Sequence, residues 1–103
     1  MSTIFHVMKE EYDRLIEAQK AYKSNIEKMP QGSPRIKHIR NCDYLYLARR
    51  EGQKVIYDYM GPVNSEHAHT ILEQVQRRKR FETLLKDIQK NLKDVKKVLR
   101  GKI

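Results

Sequence analysis

Residues 44–61 read YLYLARREGQKVIYDYMG and hold four of the chain's six tyrosines. Gly52 lies near the centre, with DYLYLAR (43–49) before it and QKVIYDYM (53–60) after it. Runs of Tyr, Leu, Val and Ile divided by a Gly-containing turn are the pattern of a hairpin. Upstream, RIKHIR (35–40) makes a third short run, separated from the second at Asn41-Cys42, and Gly61-Pro62 closes the set. These runs are expected to form a three-stranded antiparallel meander.

The turn decides which side chains share a face. A two-residue type I′ loop at Glu51-Gly52 needs positive φ at Glu51, which Glu resists. A three-residue loop, Arg50-Glu51-Gly52, needs it only at Gly52 and is the expected geometry. Arg49 then faces Gln53, Leu47 faces Val55 and Leu45 faces Tyr57. One face holds Leu45, Leu47, Val55, Tyr57 and Tyr59 and is expected to pack on Ile71, Leu72 and Val75. The other holds Tyr44, Tyr46, Ala48, Lys54, Ile56 and Asp58, leaving Tyr44 and Tyr46 half exposed beside Lys54. A two-residue turn would instead gather all four tyrosines on one face.

Helices flank the sheet. Phe5, Met8, Tyr12, Leu15, Gln19, Tyr22, Ile26 and Met29 keep a 3-4 spacing, which reads as a heptad seam on a helix over 3–29. Ser2 or Thr3 is its expected cap, and Pro30 and Gly32 end it. Ile4, Val7 and Ile16 are apolar residues outside that seam. After Pro62, Ser65 is the expected cap of a longer helix over 65–100, with Gly101 as its stop. Phe81, Leu85, Ile88, Leu92, Val95 and Leu99 form its seam. The expected architecture is one α+β domain over 1–103. In it an antiparallel two-helix coiled-coil hairpin carries the three-stranded sheet (35–60) between its helices, and the helices pair two copies into a homodimer.

Charge is sorted along the chain, which has a formal net charge of +9. Residues 1–30 are neutral overall, 31–61 carry a net +3 and 62–103 a net +6. The outward positions of the second helix are Lys79, Thr83, Lys86, Lys90, Lys93, Lys97 and Arg100, with no acid among them. The outward face of the first helix is mainly acidic. A surface made only for solubility mixes signs, so a polyanion is the expected partner. The candidate contacts are Arg35, Lys37, Arg40, Tyr44, Tyr46, Arg49, Arg50 and Lys54 around the sheet. The RRKR run (Arg77, Arg78, Lys79, Arg80) and the lysines Lys86, Lys90, Lys93 and Lys97 on the second helix complete the set.

The stretch GSPRIKHIRNCDYLYLARREGQKVIYDYMGPVNSEHAHTILEQV (32–75) resembles the arm-type DNA-binding domain of tyrosine recombinases and the N-terminal hairpin region of insertion-sequence transposases. It is also similar to a stretch of small bacterial and archaeal proteins. The resemblance implies a three-stranded sheet backed by a helix and inserted into the DNA major groove, with Lys37, Tyr44, Tyr46, Arg49 and Lys54 on or beside the reading surface. The chain departs from the family in two ways. His67 stands where the family has the second acid of a Thr-Glu-Glu-Ala run, and a long helix precedes the sheet. No recombinase catalytic domain follows, so recombination by this chain alone is not expected.

Other classes are disfavoured. One cysteine, Cys42, gives no disulfide framework and points to a reducing, cytoplasmic setting. No run approaches the length of a membrane span. His38, Cys42, His67 and His69 can be drawn as a zinc set, but His-x-His is an unusual spacing for a structural site, and neither a metal nor a cofactor is expected. No nucleotide-binding or nucleophile motif is present, so no enzyme activity is expected. The expected function is nucleic-acid binding, duplex DNA first. A protein-interaction module (antitoxin-like, or a phage-encoded inhibitor) binding an acidic protein is the alternative, and an RNA or single-strand binder a further one.

Overall fold

The computed structural model describes residues 3–100. The expected cap Ser2 and stop Gly101 lie outside the described residues. The order is α1 (Thr3–Lys28), β1 (Ser33–Ile39), β2 (Cys42–Glu51), β3 (Lys54–Pro62) and α2 (Glu66–Arg100). The class is α+β, with one antiparallel sheet of order β1-β2-β3 between the helices in sequence. The chain divides into two compact units: α1 to Ile26 with α2 from Arg80 onward, and Glu27–Lys79.

In the helical unit, Leu15, Leu92, Val95 and Leu99 are buried together, with Phe5, Met8, Tyr12, Ile16 and Ile88 packed against them. Tyr22 meets Phe81 edge to face at 5.2 Å, and Phe5 shares a cleft with Leu99. The two helices of this unit therefore run in opposite directions. Ile16, expected outside the seam, packs on this core instead. Ile4 and Val7 stay exposed.

In the sheet unit, Leu45 and Leu47 are buried on β2, and Ala68, Val75 and Arg78 on α2. Steps of seven and three residues put those α2 positions on one helix face. No other described residue of this unit is buried, so the leucine side of the sheet and this stripe of α2 cover each other. Val75 takes its expected place and is fully buried, but Ile71 and Leu72 are only half-buried, and Ala68 is buried beside Val75 in their stead. Ser65 caps α2: its Oγ accepts a hydrogen bond from the Ala68 N–H at 3.2 Å.

The sheet register differs from expectation at both turns. β1 and β2 are joined by Arg40-Asn41, not Asn41-Cys42; both residues have positive φ (50° and 65°), and Ile39 pairs with Cys42. That is the geometry of a type I′ loop, which Asn tolerates well. β2 and β3 are joined by Gly52-Gln53, with Glu51 opposite Lys54. Gly52 does take positive φ (64°), while Gln53 does not. A loop of the II′ kind asks for positive φ only at its first residue, and here that residue is the glycine. It spares Glu51 without the third loop residue, so Arg49 pairs with Ile56, Ala48 with Tyr57 and Tyr46 with Tyr59. A register shift beside Leu45 and Tyr46 then brings Leu45 opposite Gly61.

Candidate nucleic-acid interface

Directly paired residues share a face. The pairing therefore gathers Tyr44, Tyr46, Tyr57 and Tyr59 on one side of the sheet, away from Leu45 and Leu47. Arg35 and Lys37 of β1, opposite Tyr46 and Tyr44, stand on that side, as does Arg50, opposite Val55. Tyr57 and Tyr59, expected in the core, are 48% and 56% exposed. They are the functional candidates missed in the sequence, and only the alternative turn would have found them.

The tyrosines form a connected surface. Tyr59 lies 5.3 Å from Tyr46 and 6.1 Å from Tyr44, ring centre to ring centre. The Lys37 ammonium sits 4.8 Å from the Tyr46 ring centre and 4.3 Å from that of Tyr57. Two ring faces thus hold a cation near the middle of the sheet. The Tyr44 phenol is pushed above its ordinary pKa, first by its electrostatic interaction with Cys42 beside it, then by partial desolvation. Tyr44 therefore stays a neutral hydroxyl, able to donate a hydrogen bond.

Arg49 and Lys54, which the resemblance placed at the reading surface, lie on the leucine side. The shifted register moves Lys54 there; Arg49 alternates with Leu45 and Leu47 along β2 and shares their side in either register. Arg49 Nε donates to Asp58 at 2.8 Å, and Nη1 donates to Glu51 at 3.2 Å. Asp58 chiefly, and Glu51 next, raise its guanidinium pKa further. Lys54 stands across from Glu51. His38 meets Asp43 at 2.6 Å on the same side, whereas Cys42 pairs with Ile39 on the tyrosine side. Being on opposite faces, His38 and Cys42 cannot form half of a common metal site. Among the described residues no three potential metal ligands cluster.

The RRKR run splits. Arg77, Lys79 and Arg80 are exposed, but Arg78 is buried. Its guanidinium donates to the Pro30 carbonyl and, at 3.0 Å, to the Gly32 carbonyl. Arg78 ties the segment before β1 to α2 and is withdrawn from the set of contact residues. The segment must come close: a Cβ built on Gly32 would stand 2.9 Å from the Ala48 carbonyl oxygen. Arg40 is exposed in the β1–β2 turn, and Lys86, Lys90, Lys93 and Lys97 are exposed on α2 in the helical unit.

The chain matches no protein-family model, no curated protein and no solved structure. No helix among the described residues is long and apolar enough to cross a membrane.

Proposed function

We propose that the protein binds nucleic acid, duplex DNA in the first place, through the tyrosine side of its sheet. One observation carries this reading: charge is sorted across a sheet one layer thick. Among the described residues the open side bears Arg35, Lys37 and Arg50 beside four tyrosines and no carboxylate, while Asp43, Glu51 and Asp58 fall on the other side. There, Arg49 and His38 are paired with acids and Lys54 faces one. The basic charge of the open side has no such partner on its own face.

Size and ring packing favour a duplex. Strands about 4.8 Å apart set the axes of β1 and β3 about 10 Å from each other, against a major groove roughly 12 Å wide. The faces of Tyr46 and Tyr57 are engaged by Lys37, and Tyr59 packs on two neighbours. The sheet therefore offers ring edges, hydroxyls and an ammonium. That suits hydrogen-bond readout in a groove better than stacking on unpaired bases. The lysine row of α2, taken by itself, supplies phosphate contacts.

In the same proposal, α1 and α2 wind as an antiparallel coiled coil, two copies pair through the helical unit, and the protein acts in the cytoplasm. The exposed free thiol of Cys42 accords with a reducing setting. The test is a fluorescence-anisotropy titration of random duplex DNA, single-stranded DNA and RNA across a salt series. Duplex binding that weakens steeply with salt is expected. Absence of binding to every nucleic acid at low salt would overturn the reading in favour of an acidic protein partner.

A further inference from the structure

Four large apolar side chains of the helical unit stand in water: Ile4, Val7, Leu84 and Val98, exposed by 72%, 57%, 43% and 48%. Their phase is common. Ile4 and Val7 come one residue before the core-facing Phe5 and Met8; Leu84 and Val98 come one before Leu85 and Leu99. In two helices packed in opposite directions, the flanks that precede the seam lie side by side. The four residues therefore lie along one side of the unit in two apolar patches, Ile4 and Val7 with Val98, and Leu84 with Ala18 and Ala21, separated by a polar middle. The side that follows the seam is polar, with Lys9, Lys23, Gln89 and Lys96.

We infer that this side docks a second copy of the chain, forming four helices related by a two-fold axis along their length. This rests on the pairing proposed above and not on the nucleic-acid partner. Charge at the margins selects the occupant. The α1 margin carries Glu10 and Glu17, and the α2 margin carries Lys90 and Lys97, all exposed. A lengthwise two-fold sets α1 of one copy beside α2 of the other at the same level, so the acids of each copy meet the lysines of its mate. Level is set by Tyr22 against Phe81: counting equally from that contact, Glu10 comes level with Lys93, between Lys90 and Lys97. Packing α2 on α2 would instead oppose lysine to lysine. The same flank also carries charge at mid-length: Asp87 and Asp94, one residue before Ile88 and Val95 and both exposed, and the self-neutralising pair of Arg14 with Glu11 (Nε to Oε2, 3.0 Å). That pair comes level with Asn91 of the second copy, a polar meeting that fixes register, as a single polar residue does in coiled coils.

The test is sedimentation equilibrium of the full chain at micromolar concentration, with circular dichroism to check that each variant is folded. Wild type is expected as a dimer. Leu84→Lys with Val98→Lys, both exposed in one copy, should weaken it by about 100-fold or more, because the new charges would be buried at the contact. Gln89→Lys on the opposite side should leave it unchanged. Glu10→Lys with Glu17→Lys should also weaken it, and adding Lys90→Glu and Lys97→Glu should restore it. A wild-type monomer overturns the pairing itself. A dimer indifferent to the Leu84 and Val98 changes overturns this face, and failure of the charge swap to restore association overturns the α1-to-α2 arrangement.

Discussion

Replacing Arg78 by Gln should damage the sheet unit and leave the nucleic-acid surface of the folded protein intact. The buried guanidinium donates to two backbone carbonyls, those of Pro30 and Gly32, across a sequence gap of more than forty residues. A hydrogen bond involving a charged group contributes roughly 1.5–3 kcal/mol, and an acceptor left buried and unmet costs a similar amount. Gln is shorter and can replace one donor at most. The expected loss is therefore about 3 kcal/mol, or a fall in melting temperature on the order of 15 °C for a chain of this size. The assay is guanidinium denaturation followed by near-ultraviolet circular dichroism, which reports on the sheet because four of the six tyrosines lie in it. Arg77→Gln, at an exposed position of the same run, is the control and should move stability by less than about 0.5 kcal/mol. If the two variants are equally stable, the hydrogen bonds of Arg78 do not hold the segment before β1, and its withdrawal from the contact set is wrong. Below its melting temperature, Arg78→Gln should bind duplex DNA as wild type does.

Gly52→Val should cost about 1–2 kcal/mol, all of it from the backbone, since nothing lies within 4 Å of a Cβ built there and φ is 64°; an unchanged thermal midpoint would contradict the tight turn. Replacing Lys86, Lys90 and Lys93 by Gln should weaken binding to all duplexes alike, lowering the salt slope by up to about 0.9 for each phosphate no longer neutralised. A weakening confined to one DNA sequence would mean that these lysines read bases.

The helices were legible because their apolar spacing is long and regular: the seams over Phe5–Leu15 and Ile88–Leu99 appear as one core. The three strands were legible from their β-prone runs and Gly52. The register was not, because two loops differing by one residue both satisfy a glycine at positive φ, and a one-residue change in pairing moves every side chain of the partner strand to the other face. That single choice misplaced Lys54, Tyr57 and Tyr59 together, whereas alternation along β2 already set Arg49 on the side of Leu45 and Leu47. Arg78 was hidden for another reason. In the sequence it is one of four consecutive basic residues, yet it stands three positions after Val75 and ten after Ala68, on the same helix face as both. Phase along α2, rather than charge, was the signal that separated it from Arg77, Lys79 and Arg80.

The central claim is that the two sides of the sheet differ in function. It is tested most directly by measuring duplex affinity, by anisotropy at several salt concentrations, for two sets of variants. Lys37→Gln with Tyr57→Ser alters only the open side; Arg49→Gln with Lys54→Gln alters only the leucine side. The account predicts that the first pair loses affinity by tenfold or more, at about 1–3 kcal/mol for each base contact removed, and loses discrimination between a selected sequence and random DNA. The second pair should keep both, at some cost in stability from the broken Arg49–Asp58 pair. Equal losses in both sets, or a loss in the second alone, would contradict it.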